Sequence, residues 1–169
     1  ISACLVGSEM CIRDRWKTVL GLRYEKWKAT DGFTATATSA QPYASRSESD
    51  LSPKAALAYQ LAPSTVIKAS VGRAVRYPTV GELYGATSGG ALSFVNDPNL
   101  EPEKSWTGEL TAEQDLGKGL LRATLFHETT KNALYSQLIP NSTVSRVQNV
   151  DRMRTCLLYT SDAADEGLG

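Results

Sequence analysis

The stretch from Val71 to Trp106, VGRAVRYPTVGELYGATSGGALSFVNDPNLEPEKSW, decides the fold. It begins with alternating apolar and polar residues, breaks at Tyr77-Pro78, passes through a segment rich in Gly, Ser and Asn, and returns at Leu100 to a second alternating segment. A period of two places successive side chains on opposite faces of a β-strand. The stretch therefore predicts two strands joined by a long loop, and such loops usually serve binding or display.

The same alternation occurs upstream, where Trp16 to Lys28 predicts a strand with one apolar face. That face contains Trp16, Thr18, Leu20, Leu22 and Tyr24. Strands of about ten or more residues suit a tilted membrane span better than the five or six residues usual in soluble sheets. Aromatic residues at both ends of an apolar face are typical of the girdles of membrane barrels.

The predicted strands are joined by connections of two very different lengths. Leu51 to Leu61 and Thr65 to Arg73 flank a tight turn at Pro63, and a second short turn is predicted near Gly117. Ala29 to Asp50 instead reads as a long exposed loop. In outer-membrane barrels the short turns face the periplasm and the long loops face outward, so the asymmetry indicates an orientation.

Further strands are predicted after the long loop of the opening stretch. Trp106 to Glu113 alternates, and another alternating segment follows Gly119 until the pattern decays at Phe126 and His127. Leu134 to Val150 predicts the end of one strand, a turn at Pro140 to Thr143 and one more strand. The sequence thus predicts an all-β fold of about six consecutive antiparallel strands in an open, curved sheet.

Two ordered motifs carry a family resemblance. Arg76-Tyr-Pro-Thr, continued by Glu82-Leu, and Asn99-Leu-Glu-Pro-Glu-Lys104 resemble the C-terminal barrel of TonB-dependent outer-membrane receptors of the siderophore-receptor type, as does Gln148-Asn149-Val150. The resemblance implies a fragment of an up-and-down transmembrane β-barrel in the outer membrane of a Gram-negative bacterium, in contact with lipid. Family members close about 22 strands around a plug domain.

The resemblance also implies a function. The family imports scarce nutrients, most often ferric siderophores, and the TonB energy-coupling complex acts through the plug, which is expected outside this chain. No cofactor and no enzymatic activity are expected. Six residues carry the likeness and are interpreted mainly as structural: Arg76, Pro78, Glu82, Leu100, Pro102 and Glu103. As ligand contacts on exposed loops we nominate Arg46, Tyr77, Tyr84 and Phe94, because cationic and aromatic groups bind anionic or catecholate ligands.

The two ends of the chain differ from the rest. Residues 1–15 and 156–169 resemble conceptual translations of untrimmed sequencing adapters, CLVGSEMCIRD and CLLYTSDAADE, and are expected to make few contacts with the sheet. All three cysteines lie in these ends. Between them, Trp16 to Thr155 contains 16 Lys and Arg against 13 Asp and Glu, a balance too mild to indicate a nucleic-acid partner.

Other functions remain as alternatives. Glu109 and Glu113 lie on one strand face roughly 13 Å apart, beyond the spacing of glycosidase carboxylates, so polarity of a barrel lumen is the preferred interpretation. His127, the only histidine, lacks companions at ligand spacing, and a rim position is preferred to a metal site. A passive porin or structural barrel, an importer of cobalamin or glycans, and a soluble β-sandwich enzyme are the alternatives to siderophore import.

Overall fold

The computed structural model of the chain describes residues 2–11, 15–35, 40–85, 87–88, 93–95 and 97–164. Within this part, one helix, α1 (Val80–Tyr84), accompanies eleven strands. The strands are β1 (Ser2–Cys11), β2 (Trp16–Ala29), β3 (Phe33–Ala35), β4 (Ala40–Pro42), β5 (Arg46–Ala62), β6 (Thr65–Arg76), β7 (Thr87–Ser88), β8 (Ser93–Val95), β9 (Glu103–Asp115), β10 (Gly119–Leu138) and β11 (Val144–Ala164).

Nine of these strands form one large open sheet in the order β1-β2-β5-β6-β9-β10-β11-β8-β7, and β3 and β4 form a separate two-stranded sheet. The long neighbours all pair antiparallel, and only the short β8 pairs parallel to β11. Six long strands, β2, β5, β6, β9, β10 and β11, follow one another along the chain as hairpins. The prediction of about six consecutive antiparallel strands is confirmed, and Leu51 to Leu61 is a strand, as the period of two requires.

The pairing register gives the sheet one apolar and one polar face. Directly opposed residues of neighbouring strands share a face, and the pairs Thr18–Leu57, Leu57–Ala69 and Ala69–Leu110 therefore define the apolar one. Leu57 and Leu110 are 40% and 51% exposed. Ion pairs lie on the other face, where Glu113 contacts both Lys68 and Arg122. A sheet with a bare apolar face and an ion-paired opposite face matches the wall of a membrane barrel.

The connections have the predicted asymmetry. Pro63-Ser64 joins β5 to β6, and a three-residue turn with Gly117 at φ +77° joins β9 to β10. Both turns lie at one edge of the sheet, because antiparallel strands alternate in direction. The opposite edge, called the loop end here, carries the long connections 30–45 and 77–102 and a five-residue turn at 139–143.

Two predictions about elements need correction. The long loop of the opening stretch contains a helix, α1, which the alternating pattern did not indicate. In addition, β10 does not end where its alternation decays, because it continues from Gly119 to Leu138 and places His127 inside the strand, opposite Gly108. Backbone pairing with both neighbours holds this segment in the sheet whatever its side-chain pattern.

The expectation that the chain ends make few contacts is wrong for the described backbone. Strand β1 pairs with β2 from Ser2 to Cys11, and β11 remains paired with β10 as far as Ala164. An open sheet edge presents a row of free N–H and C=O groups that any extended segment can pair with. Such pairing carries no information about side-chain packing, and residues 156–161 are exposed throughout.

The buried core lies at the loop end. It consists of Trp27, Val75, Tyr77, Leu83 and Leu100, with Ala29, Tyr84, Leu134 and Val147 packed against it. These residues come from four strands and from the 77–102 connection, so the core ties the loops to the sheet. Among the described residues, no helix is long and apolar enough to cross a membrane.

Candidate ligand-binding site at the loop end

Two stacked aromatic rings form the floor of the loop end. The indole of Trp27, at the end of β2, and the phenol of Tyr77, just after β6, lie 5.6 Å apart with nearly parallel planes. The guanidinium of Arg46 lies 5.9 Å from the centroid of the Trp27 ring. Cation–π contact and ring stacking together fix the starts of both long connections relative to each other.

Beside this stack, Asp50 joins three elements. It accepts hydrogen bonds from Arg73 at 2.7 Å and from the Tyr77 hydroxyl at 3.2 Å, and Lys104 Nζ lies 3.3 Å away. The β5–β6 ladder ends at the Lys54–Gly72 pair, and beyond it Arg73 also donates to the carbonyl of Leu51. A side chain thus replaces the missing ladder and ties β5, β6 and β9 together.

The surroundings of Asp50 and Tyr77 change the pKa of both side chains. Burial by itself raises the pKa of Asp50, but the hydrogen bonds and charges of Arg73 and Lys104 outweigh it and lower that pKa below its ordinary value. Burial, followed by the nearby charge of Asp50, raises the pKa of the Tyr77 hydroxyl. At neutral pH the carboxylate is therefore charged and the phenol is a hydrogen-bond donor.

The first family motif builds the helix. Thr79 caps α1, since its hydroxyl accepts from the Glu82 N–H while the Glu82 carboxylate accepts from the Thr79 N–H at 2.8 Å. Glu82 also accepts from Arg76 at 2.6 Å. Burial by itself raises the pKa of Glu82, but the hydrogen bonds from Thr79 and Arg76 outweigh it and lower that pKa below its ordinary value. Arg76 therefore pairs with Glu82.

The second motif is anchored by its backbone. Leu100 is 2% exposed, and Arg46 donates to the carbonyls of Pro98 at 2.8 Å and Leu100 at 3.0 Å. The carboxylate of Glu103 accepts from the backbone N–H of Leu134 at 2.9 Å. The motif therefore holds the returning end of the loop against β5 and β10.

The Gln148-Asn149-Val150 segment meets this motif in space. The side-chain amide of Asn149 accepts from the Glu101 N–H and donates to the Glu101 carbonyl, both at 2.9 Å. It also donates to the Asn132 carbonyl at 2.8 Å, and Asn132 donates to the Glu101 carboxylate at 2.6 Å. One side chain thus pairs with the loop as a strand backbone would, and all three resemblance segments take part in fixing the loop base.

Above the stack lies an open cleft of about 470 Å³ between residues 28–33 and 77–84. Phe33 and Val80 project at its mouth, 64% and 75% exposed. Tyr84 lines the wall, stacked on Tyr43 at 5.3 Å. Gly32 lets the loop approach this ring closely, because a Cβ there would lie 2.5 Å from Tyr84 Cζ. The cleft offers apolar and aromatic surface, with Lys28 and Asp31 as its charged lining residues.

The four nominated contact residues have different surroundings. Tyr84 lines the cleft, whereas Tyr77 is only 9% exposed, so the exposure on which its nomination depended is not found. Arg46 is engaged by Glu48 at 2.9 Å as well as by the two loop carbonyls. The side chain of Phe94 lies outside the described residues, although its backbone in β8 pairs with Ser145.

The sequence analysis did not nominate Phe33 or Asp50, and it named Asn149 only as part of a segment that resembles the family. Phe33 and Tyr43 are the two aromatic residues of the Thr-, Ala- and Ser-rich loop from Ala29 to Asp50, and an aromatic side chain in such a polar loop was a usable signal of display. Thr79-x-x-Glu82 is likewise a capping-box pattern that could have predicted α1. Nothing local marked Asp50, because its partners are distant in sequence and converge only in the folded sheet.

The residues weighed for other chemistry lie elsewhere. Glu113 is held between Lys68 at 2.7 Å and Arg122 at 2.9 Å, and Glu109 accepts from Thr111. The His127 ring contacts the hydroxyl of Thr129 at 3.3 Å. In the part of the chain that the structure describes, no group of three or more His, Cys, Asp or Glu side chains could hold a metal ion.

An amphipathic open sheet with long, internally braced loops at one end defines the wall of an outer-membrane-type barrel. The family model described as "TonB dependent receptor-like, beta-barrel" matches residues 8–155, and the chain belongs to this family. Its members are receptors and transporters rather than enzymes.

Solved structures share the fold. A Serratia marcescens hemophore receptor, HasR, solved with its hemophore and heme, is 14% identical with a TM-score of 0.79 over 98% of this chain and 32% of its own. The copper transporter OprC is 20% identical with a TM-score of 0.74, over 98% and 26% of the two chains. The siderophore receptor PirA from Acinetobacter baumannii is 17% identical with a TM-score of 0.69, over 98% of this chain and 25% of its own.

The chain thus spans about a quarter to a third of the length of these receptors and corresponds to part of the barrel. No curated protein matches its sequence.

Proposed function

We propose that the chain forms part of the wall and ligand-capturing loops of an outer-membrane receptor that imports a ferric siderophore in a Gram-negative bacterium. The TonB energy-coupling complex drives release through a plug that lies outside this chain. In this proposal the apolar face contacts lipid and the polar face lines the lumen. Nucleic acid has no part in it.

The observation that carries the proposal is the cleft at the loop end. Phe33 and Tyr84 present aromatic surface on two different loops, and the Trp27–Tyr77 stack lies beneath them. Planar catecholate groups stack on such rings, and Lys28 adds a cation for an anionic chelate. Among the nominated contacts we therefore retain Tyr84, add Phe33, and assign Arg46 and Tyr77 to bracing the site.

Binding tests the assignment of the cleft. The full-length receptor containing this chain is expressed in a receptor-deleted host, and binding of radiolabelled ferric catecholate is measured on whole cells. We expect Phe33→Ala and Tyr84→Ala each to weaken binding about three- to tenfold, the value of one aromatic contact. Tyr135→Ala is the matched control, because this exposed tyrosine lies on β10 outside the cleft. Equal affinities for all four proteins would contradict the cleft assignment.

Energy dependence separates import from a passive barrel. Growth on the ferric siderophore should require both the receptor and an intact energy-coupling complex. Uptake that persists without the complex would favour a porin. If no iron chelate supports growth, cobalamin and glycans become the substrates to test.

A further inference from the structure

A small cavity of about 170 Å³ lies on the polar face of the sheet, where the β5–β6 ladder ends. Its polar lining comes from Arg23 of β2, Ser52 and Lys54 of β5, and Arg73 of β6. Arg23 is four residues from Trp27, or about 13 Å along β2 toward the short turns. The cavity is therefore separate from the loop-end cleft, with which it shares no lining residue.

Two buried hydrogen-bond donors at this cavity have no acceptor among the described residues. They are the hydroxyl of Ser52, a residue that is only 5% exposed, and Nε of Arg23. A terminal nitrogen of the Arg23 guanidinium lies 2.9 Å from the carboxylate of Glu25, which does not line the cavity. Leaving a buried donor unpaired costs free energy, so two such donors at one cavity indicate a missing acceptor.

Lys54 lies across the space that two glycines leave open. Gly21 and Gly72 are directly opposite it on the neighbouring strands, and a Cβ on Gly21 would lie 2.5 Å from Lys54 Cε. Glycine inside a strand weakens it and often marks the close approach of a ligand or of another chain segment. The lysine therefore leans over β2, where Arg23 lies, and within the described ranges it has no ion pair of its own.

The charges around the cavity favour an anion. Arg23, Lys54 and Arg73 bring three positive charges to a lining in which the structure describes no Asp or Glu. Arg73 is matched by Asp50 and Arg23 by Glu25, so the Lys54 ammonium remains in excess. An oxyanion would accept from both unpaired donors and pair with this ammonium, and such charge-assisted hydrogen bonds are the strong ones.

We propose that Arg23, Ser52 and Lys54 bind a small oxyanion from solution, a carboxylate or sulfate ion, on the polar face of the barrel wall. The bound ion connects β2 with β5 beside the point where β5 and β6 lose their ladder. The site goes beyond the proposed function, because it needs only access of water to the polar face and does not depend on which nutrient is imported.

Protection of Lys54 from acetylation tests the site. The full-length receptor containing this chain is purified in a neutral detergent and treated with the N-hydroxysuccinimide ester of acetic acid, and acetylated Lys54 is quantified by peptide mass spectrometry. Sodium sulfate is compared with sodium chloride at equal ionic strength. We expect only sulfate to slow the acetylation, and to do so saturably, because the bound ion holds the ammonium in a charge-assisted hydrogen bond. Lys17, an exposed lysine of the same strand face as Gly21, should react equally in both salts.

Two variants locate the bound ion. Ser52→Ala should leave stability unchanged, because the hydroxyl has no partner in the described chain, yet raise the sulfate concentration for half-protection about tenfold, the usual effect of losing one hydrogen bond to a charged group. Gly21→Ala forces the Lys54 side chain away from β2 and should weaken protection as well. Ser70→Ala and Gly108→Ala are the matched controls, since Ser70 lies outside the cavity and a Cβ on Gly108 meets nothing within 4 Å.

Equal acetylation of Lys54 in the two salts would overturn the proposal. Half-protection at one sulfate concentration in the wild type, Ser52→Ala and Gly21→Ala would do the same. A carbodiimide cross-link from Lys54 to a carboxylate elsewhere in the receptor would also overturn it, because the receptor itself would then fill the site. No uptake is measured, so failure of this site leaves the siderophore proposal standing, and failure of siderophore import leaves the protection of Lys54 unchanged.

Discussion

Asp50 keeps its charge in a nearly dry position because Arg73, Lys104 and Tyr77 all reach it. Asp50→Asn removes the charge and leaves the Arg73 guanidinium with a weaker acceptor. We expect local opening of residues 73–77 to become easier by about 2 kcal/mol, the usual value of a hydrogen bond to a charged group. Hydrogen exchange of the full-length receptor measures this. Asp151→Asn, an exposed change of the same type, should have no effect, and equal protection in both variants would refute the role of Asp50.

Acid should have the same effect as that mutation. The pKa of Asp50 is lowered on folding, so its contribution is fully present above the ordinary value of 3.8 and is lost as the pH falls through the lower folded value. Glu82 and Asp97 are shifted in the same direction. Exchange of residues 73–77, corrected for intrinsic rates, should therefore accelerate below about pH 4 in the wild type and much less in Asp50→Asn. An identical pH response of the two proteins would contradict this assignment.

The role of the Asn149 side-chain amide can be tested with a single substitution. Asn149→Asp keeps an acceptor for the Glu101 N–H but replaces the donor to two carbonyls with a repelling oxygen. We expect residues 99–103 to lose about 2 kcal/mol of protection in hydrogen exchange. Gln148→Glu, the same chemical change one residue earlier at an exposed position, is the control. A larger effect at Gln148 than at Asn149 would show that the Asn149 amide does not hold the loop.

Among the elements, the long strands could be predicted from their alternation, whereas the helix could be predicted only from its capping box. Period-two alternation fixes a strand such as Trp16–Ala29 within one residue of its observed end, because both faces have a definite environment. In β10 the alternation fails near His127, yet pairing with β9 and β11 holds the strand. The five residues of α1 are too few for a helical period, and only the cap identifies them.

The Thr79 cap should contribute more to the stability of α1 than the Arg76–Glu82 ion pair does. Thr79→Ala should cost about 1 kcal/mol because it removes the hydroxyl that accepts a hydrogen bond from the Glu82 N–H. Arg76→Ala removes a largely exposed pair with Glu82, which is worth roughly 0–1 kcal/mol after solvent screening. Hydrogen exchange of residues 80–84 in both variants shows which substitution destabilises the helix more. If Arg76→Ala is the more damaging, the ion pair rather than the cap holds the helix.

The two faces of β5 can be tested with adjacent residues. Leu57→Lys places a charge on the apolar face and should cost about 2–4 kcal/mol in a bilayer. Ala56→Lys introduces the same side chain on the polar face, opposite Val19 and Ser70, and should be nearly neutral. Denaturant unfolding of the receptor in lipid vesicles measures both. Equal costs would mean that the apolar face is not turned toward lipid.

At the scale of the molecule, the sequence predicted the sheet, the different lengths of the connections at its two edges and its motifs, but not how the motifs meet. Asn149 lies 48 residues from Glu101, and Arg73 lies 23 from Asp50, so no local pattern reports either contact. The cleft is a similar case, since Phe33 and Tyr84 come together only because their loops share one edge. A pattern of period two fixes what each strand faces, whereas a site between loops depends on sheet order.

The chain ends provide the last prediction. We propose that residues 1–15 and 156–169 derive from adapters, because Leu157, Leu158 and Tyr159 place exposed apolar groups on both faces of β11 and break its alternation. Backbone pairing alone explains why these segments extend the sheet. Resequencing the source gene should therefore replace CLLYTSDAADE with an alternating strand, since an unpaired edge costs several kcal/mol per backbone group in a bilayer. It should also reveal a plug with a coupling segment upstream. Recovery of the present end residues within a longer gene would refute the adapter origin, and a gene without a plug would refute energised import.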